Sequence, residues 1–180
     1  MICVNKKNKQ KGFSLIETLV YLFITSMLLL MIASLVVNIF NSKRLFKSEE
    51  VVARNARYIM SFMLNKMHNV GTIDDLGGGS QNIMFYVPPD RRFNLAIESD
   101  NFVYRETQDV GSGYPDQSTA VPYLLNSDNV QVSDITLTPM SDNYGQTNQG
   151  VVLSFTLTYG NSEDKYGYAQ RTYSTFLSIR

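Results

Sequence analysis

Apolar and polar positions divide the chain into two regimes. From Thr18 to Ser42 there are 25 residues without a charge. As a helix rising about 1.5 Å per residue they would span about 37 Å, enough to cross a hydrocarbon core of about 30 Å with some tilt. Glu17 stands just inside one edge of this segment, where a carboxylate costs a few kcal/mol unless a positive group meets it. Further on, Leu45, Val52, Ala56, Ile59, Met63, Met67 and Val70 form one amphipathic stripe. Lys43, Lys47, Glu50, Arg54, Arg57, Ser61 and Asn65 lie largely off it. No glycine or proline occurs from Phe13 to Val70. The pattern predicts a helix from about Ser14 to Asn69, with Gly71 as its stop. Asn41-Ser42 marks the place where a break at the membrane surface would fall. The striped half is predicted to pack on the rest of the same chain, with a coiled coil as the weaker alternative.

From Gly71 onward the period changes to two, and all five prolines lie in this part. Residues 74–80, Asp-Asp-Leu-Gly-Gly-Gly-Ser, read as a connector without the lysine or spacing of a phosphate loop. Gln81–Val87 reads as a strand halted by Pro88-Pro89. Phe93, Leu95 and Ile97 alternate with Asn94 and Ala96, and Phe102–Glu106 reads as a short strand. Gln108–Thr119 reads as a loop. Val130–Thr138 alternates with a phase slip at Ser133-Asp134, the sign of a bulge. Leu153, Phe155, Leu157 and Tyr159 form one strand face. After a turn at Gly160–Gly167 comes Tyr168–Ile179, with Tyr173, Leu177 and Ile179 on a shared face. These two stretches predict a hairpin.

Charge sharpens the picture at the N-terminus. The formal net charge is zero, but Lys6, Lys7, Lys9 and Lys11 all fall in the first twelve residues, which hold no acid. Without them the balance is 16 − 4 = 12 basic against 16 acidic residues, an acidic remainder that argues against a general nucleic-acid surface. The one cysteine, Cys3, lies in the same basic stretch. It precedes the apolar run, whereas a lipidated cysteine should follow one. The run is also longer than the apolar region of a cleavable secretory signal.

Gly12-Phe13-Ser14-Leu15-Ile16-Glu17, with lysines before and the apolar run after, resembles the prepilin processing site of type IV pilins and of the pseudopilins of secretion and competence systems. The resemblance covers about the first 40 residues. It implies cleavage between Gly12 and Phe13 by a prepilin peptidase on the cytoplasmic side, and N-methylation of Phe13. It also implies that Glu17, as the fifth mature residue, acts in assembly. Cleavage turns the neutral Phe13 amide into a positive amine, and methylation keeps that charge, so an amine from a neighbouring subunit would suit Glu17. A proline found in the membrane helix of many major pilins is missing here. The ending, residues 171–180, also looks like the terminal strand of minor pilins and pseudopilins. A plain signal anchor, with Glu17 marking its edge, is the alternative account of the same residues.

Other chemistry is hard to find. His68, near the helix end, has no cysteine or second histidine with which to bind zinc. No nucleophile elbow or dinucleotide fingerprint occurs. The loops Asp109–Asp116 and Ser141–Gln149 hold acids and amides but miss the calcium-loop spacing. Calcium remains open only because some pseudopilins bind it in their heads. Arg91-Arg92, after Pro88-Pro89-Asp90, reads as a solvated loop, with a phosphate contact as the lesser alternative.

The sequence therefore predicts an α+β chain in four parts: a leader at 1–12, a membrane and assembly helix at 13–40, an amphipathic helix at 41–70 and a β-rich head at 71–180. The helix is expected to pack on one antiparallel sheet of about four to six strands. The resemblance implies a structural subunit, not an enzyme, in a pilus-like or pseudopilus filament, and a minor one by the ending and the missing proline. Its implied partners are other subunits, the peptidase, an inner-membrane assembly platform and the bilayer, with no cofactor. It would sit in the cytoplasmic membrane with its N-terminus inside and its head outside before joining a filament. The class alternative is an unprocessed, single-pass β-domain acting as a receptor or adhesin.

Overall fold

A computed structural model describes residues 14–75, 82–140 and 150–178. Among the described residues one helix, α1 (Leu15–Met67), is followed by eight strands and a short 3-10 turn. The chain divides into two compact units, residues 1–42 and 43–180. The helix continues through Asn41 and Ser42, so the break considered there does not occur. It ends at Met67, and the chain leaves through bonds from Asn69 N to Lys66 O and from Val70 N to Met67 O. Gly71 is not the helix stop. Its N–H donates to Tyr86 O at 3.0 Å, and a Cβ on it would meet Pro88 Cγ at 2.9 Å. The glycine serves a close approach to the Pro88 ring.

In the second unit the expected amphipathic stripe is buried within the chain: Val52, Ala56, Ile59, Met63, Met67 and Val70 all join the core. Leu45 does not, being 37% exposed, and Ser48 and Asn55 take buried positions among the apolar ones. A helical face is wider than its most hydrophobic line, so small or hydrogen-bonded polar residues fill its margins. Ser48 satisfies itself on Leu45 O, and Asn55 on Val51 O and Ser127 N.

The strands form two antiparallel sheets where one was expected. The first has the order β1-β2-β3-β4-β5, from β1 (Thr72–Asp75), β2 (Asn82–Val87), β3 (Arg91–Glu98), β4 (Asn101–Gln108) and β5 (Tyr123–Leu124). The second has the order β6-β7-β8, from β6 (Val130–Met140), β7 (Gly150–Tyr159) and β8 (Ala169–Ser178). Thr72–Asp75 pairs with β2, so the stretch read as a connector begins as a strand. Arg91 and Arg92 open β3 and are not loop residues. The β6 bulge falls between Ser133 and Thr136, with Asp134 at φ 56°, where the phase slip placed it. The β7–β8 hairpin sets Phe155 opposite Tyr173, with ring centroids 6.0 Å apart. Ile179 lies outside the described residues.

One apolar core joins both sheets to the helix, with Phe85, Phe93, Leu95 and Phe102 from the first and Leu153, Phe155, Leu157 and Leu177 from the second. Burying side chains of this size contributes about 1.5–3 kcal/mol each. At the joint between the sheets, Asn126 accepts from Phe102 N at 2.7 Å and donates to Val130 O.

Candidate functional site: the N-terminal helix and the charges of the head

Gly12 and Phe13 lie outside the described residues. The helix opens at Ser14, whose carbonyl accepts from the N–H groups of Glu17 at 3.0 Å and Thr18 at 3.2 Å. Glu17 stands in the first turn with its side chain exposed. A negative charge there faces the positive end of the helix dipole, a favourable place for it. No side chain of the described residues forms an ion pair with it.

Beyond Glu17 every residue to Phe40 is exposed except the half-buried Thr25. Three hydroxyls within this run turn back on their own helix. Thr18 bonds Leu15 O, Thr25 bonds Tyr21 O and Leu22 O, and Ser26 bonds Phe23 O, all at 2.8–3.0 Å. No polar group of these side chains therefore needs water, which suits a helix in lipid. Among the described residues this is one helix long and apolar enough to cross a membrane. An uncovered apolar surface of this extent calls for lipid or another protein surface.

Residues 7–33 match the family model of the prokaryotic N-terminal methylation motif. The chain carries the signature of type IV pilins and pseudopilins. The motif and the apolar helix point to a membrane-anchored chain processed by a prepilin peptidase, and to a structural subunit that meets other pilin-type subunits. The α+β architecture, with its long N-terminal helix and two antiparallel sheets, is consistent with a pilin-like fold. Comparison with curated proteins and with solved structures returns no match.

In the head, charges tie the helix to both sheets. Arg44 pairs with Asp164 in the β7–β8 turn at 2.6 Å, and Glu49 pairs with Arg171 of β8 at 2.8 Å. Both pairs are solvent-exposed, so each contributes at most about 1 kcal/mol. The third tie is more enclosed. Glu106 of β4 accepts from Lys66 at 3.2 Å, from Arg91 at 3.3 Å and from the Tyr104 hydroxyl. Partial burial alone would raise its carboxyl pKa, but the bonds from Tyr104, Lys66 and Arg91 together hold it below the usual range. Burial, reinforced by the adjacent carboxylate, pushes the Tyr104 hydroxyl well up. The Lys66 ammonium also lies 4.8 Å from the Tyr104 ring centroid. No periodicity announces this cluster, because its members are brought together only by the β3–β4 register and the end of α1.

His68 is exposed just past the helix end. Among the described residues no group of three His, Cys, Asp or Glu side chains is placed to hold a metal ion. In the loop after β4, Asp109 Oδ1 accepts from Gly111 N and Gly113 N, and Asp116 Oδ1 accepts from Ser118 N. The loop at Ser141–Gln149 lies outside the described residues.

Proposed function

We propose that the chain is a membrane-anchored precursor, cut between Gly12 and Phe13 and N-methylated at Phe13. It then assembles as a minor structural subunit of a type IV pilus-like or pseudopilus filament. The observation that carries this reading is the methylation motif running directly into a helix whose apolar surface is uncovered from Leu15 to Phe40. The precursor spans the cytoplasmic membrane with its leader inside and its head outside. Lipid covers the helix first, and neighbouring subunits replace lipid on assembly. The minor role rests on the form of the last strand and on a membrane helix without proline. In the mature chain the Phe13 amine of one subunit meets Glu17 of another. Each ion alone would be costly in an apolar interface, whereas pairing offsets the desolvation of both.

Mass spectrometry of the mature N-terminus in the native host tests the processing step. A chain beginning at N-methylated Phe13 is expected, with Gly12→Val blocking the cut. An intact Met1, the mark of an unprocessed anchor, or a cut near Ser34, the mark of a cleaved secretory signal, overturns the reading. Glu17→Gln tests assembly: the leader is removed as before, but recovery in sheared filaments falls. Equal recovery for wild type and variant refutes the pairing.

A further inference from the structure

Among the described residues the two sheets have four edges, and these are not alike. Three are blunted in ways that discourage another strand from adding to them. β1 is four residues long, and its register with β2 breaks between Ile73 and Asp75. β5, at the other end of that sheet, has two residues. β6 carries Pro139 and the bulge between Ser133 and Thr136, and its Val132 N–H is taken by Asp100 O at 2.8 Å.

β8 lacks every such device. Its ten residues, Ala169–Ser178, pair with β7 in unbroken register. Every second residue of such a strand turns its N–H and C=O away from its neighbour. Among the described residues no backbone group of another element takes these up. The stretch from Thr172 to Ser178, Thr-Tyr-Ser-Thr-Phe-Leu-Ser, holds no charge, proline or glycine. Arg171, just before it, is held by Glu49 of its own chain. Thr172, Ser174, Phe176 and Ser178 are exposed on the face opposite the buried Leu177. The Phe176 ring rests over Gly150, where a Cβ would strike it, and is still 52% exposed.

Uncovered backbone groups along an uncharged strand of hydroxyl, β-branched and aromatic residues are a template for one kind of ligand, another extended strand. Symmetry and charge decide whose. A head-to-tail array needs two open edges on each copy, and this chain has one among its described residues. Identical strands can then meet only about a two-fold axis, antiparallel, and association stops at two. Over Thr172–Ser178 such a pair sets no charge against another. It also leaves the exposed Phe176 rings of both copies on one face of the joined sheet, where the neighbouring strand helps to cover them. We propose that β8 pairs antiparallel with β8 of a second copy of this chain, joining two three-stranded sheets into one of six strands. The interface goes beyond the filament reading and does not depend on it.

Hydrogen exchange read by mass spectrometry, on the full chain in dodecylphosphocholine micelles, tests the pairing. Association through the apolar helix leaves the β8 amides untouched, so the readout is specific to the edge. As protein rises from about 1 μM to about 1 mM, the range suited to a small interface, the outward amides of β8 should slow about tenfold or more, while those of β7 stay protected throughout. Ser174→Lys and Ser174→Glu, both on the exposed face, should each abolish the added protection by setting like charges close together, and an equimolar mixture of the two should restore it. Exchange in β8 that does not depend on concentration overturns the proposal. So does protection that persists in both charged variants alone, or that their mixture fails to restore. Protection of β8 in sheared filaments with none in the purified chain would assign the edge to a different subunit's strand and overturn it as well.

Discussion

Asn126→Ala should loosen the joint between the two sheets. Asn126 is 6% exposed, and its Oδ1 is the acceptor for the N–H of the fully buried Phe102. Its Nδ2 donates to Val130 O, where β6 begins, and to Asn101 Oδ1 at 3.0 Å. Alanine leaves the Phe102 N–H buried without an acceptor, which costs about 1–3 kcal/mol, and removes a further ordinary bond at Val130 worth about 0.5–1.5 kcal/mol. The expected loss is about 2–4 kcal/mol, a large share of a stability that is usually about 5–15 kcal/mol. Denaturant unfolding of the full chain in micelles, followed by tyrosine fluorescence because tryptophan is absent, should show a lower midpoint with an unchanged slope. Asn126→Asp separates the two halves of the argument. It keeps the acceptor for Phe102 but sets a carboxylate against Val130 O, so at neutral pH it should be at least as damaging as alanine. It should recover partly as the acid is protonated. Asn129→Ala, exposed a few residues along, should move stability by less than about 0.5 kcal/mol. A loss below about 1 kcal/mol for Asn126→Ala would refute the account of the joint.

Glu106 gives the head an acid limit. Its folded pKa lies below its unfolded value, so its contribution is fully present above about 4.5 and is lost as pH falls through the folded value. Glu106→Gln should therefore lower stability at neutral pH and flatten the acid limb of a pH–stability profile; an unaltered profile would contradict it. Gly160→Ala should destabilise the β7–β8 turn by more than about 1 kcal/mol, read as a fall in melting temperature. The residue sits at φ 80°, and a Cβ would collide with the Gly167 carbonyl. A chain starting at Lys43 should be soluble and melt cooperatively, whereas one starting at Gly71 should aggregate because it lacks Ile59 and Met63 and so uncovers the sheet residues that share their core, Phe85 and Leu153 among them. A monomeric, cooperatively melting product from Gly71 would show that the helix is dispensable to the core.

The sequence by itself determined whatever rests on local order. The methylation motif, the charge-free run after Glu17, the helical stripe from Val52 to Val70, the slip at Ser133-Asp134 and the β7–β8 hairpin each depend on residues near one another in the chain. Periodicity reads these directly, because a helix or strand repeats its facing every 3.6 or 2 residues. Tertiary structure decided what depends on distant partners. Asn94 alternates with core residues and so looks solvent-facing, yet it is buried, because the loop carrying Tyr114 to Ser118 lies over that face. Thr72–Asp75 reads as connector beside its glycines, yet it pairs with β2. Two sheets form in place of one where the chain turns at Asn126, through bonds whose partners lie 24 residues back and four residues on. Glu106 acquires its altered acidity from Lys66, 40 residues earlier, and from Arg91 across the sheet. A pattern of apolar and polar positions says which face a residue shows; only the packed chain decides what meets it there.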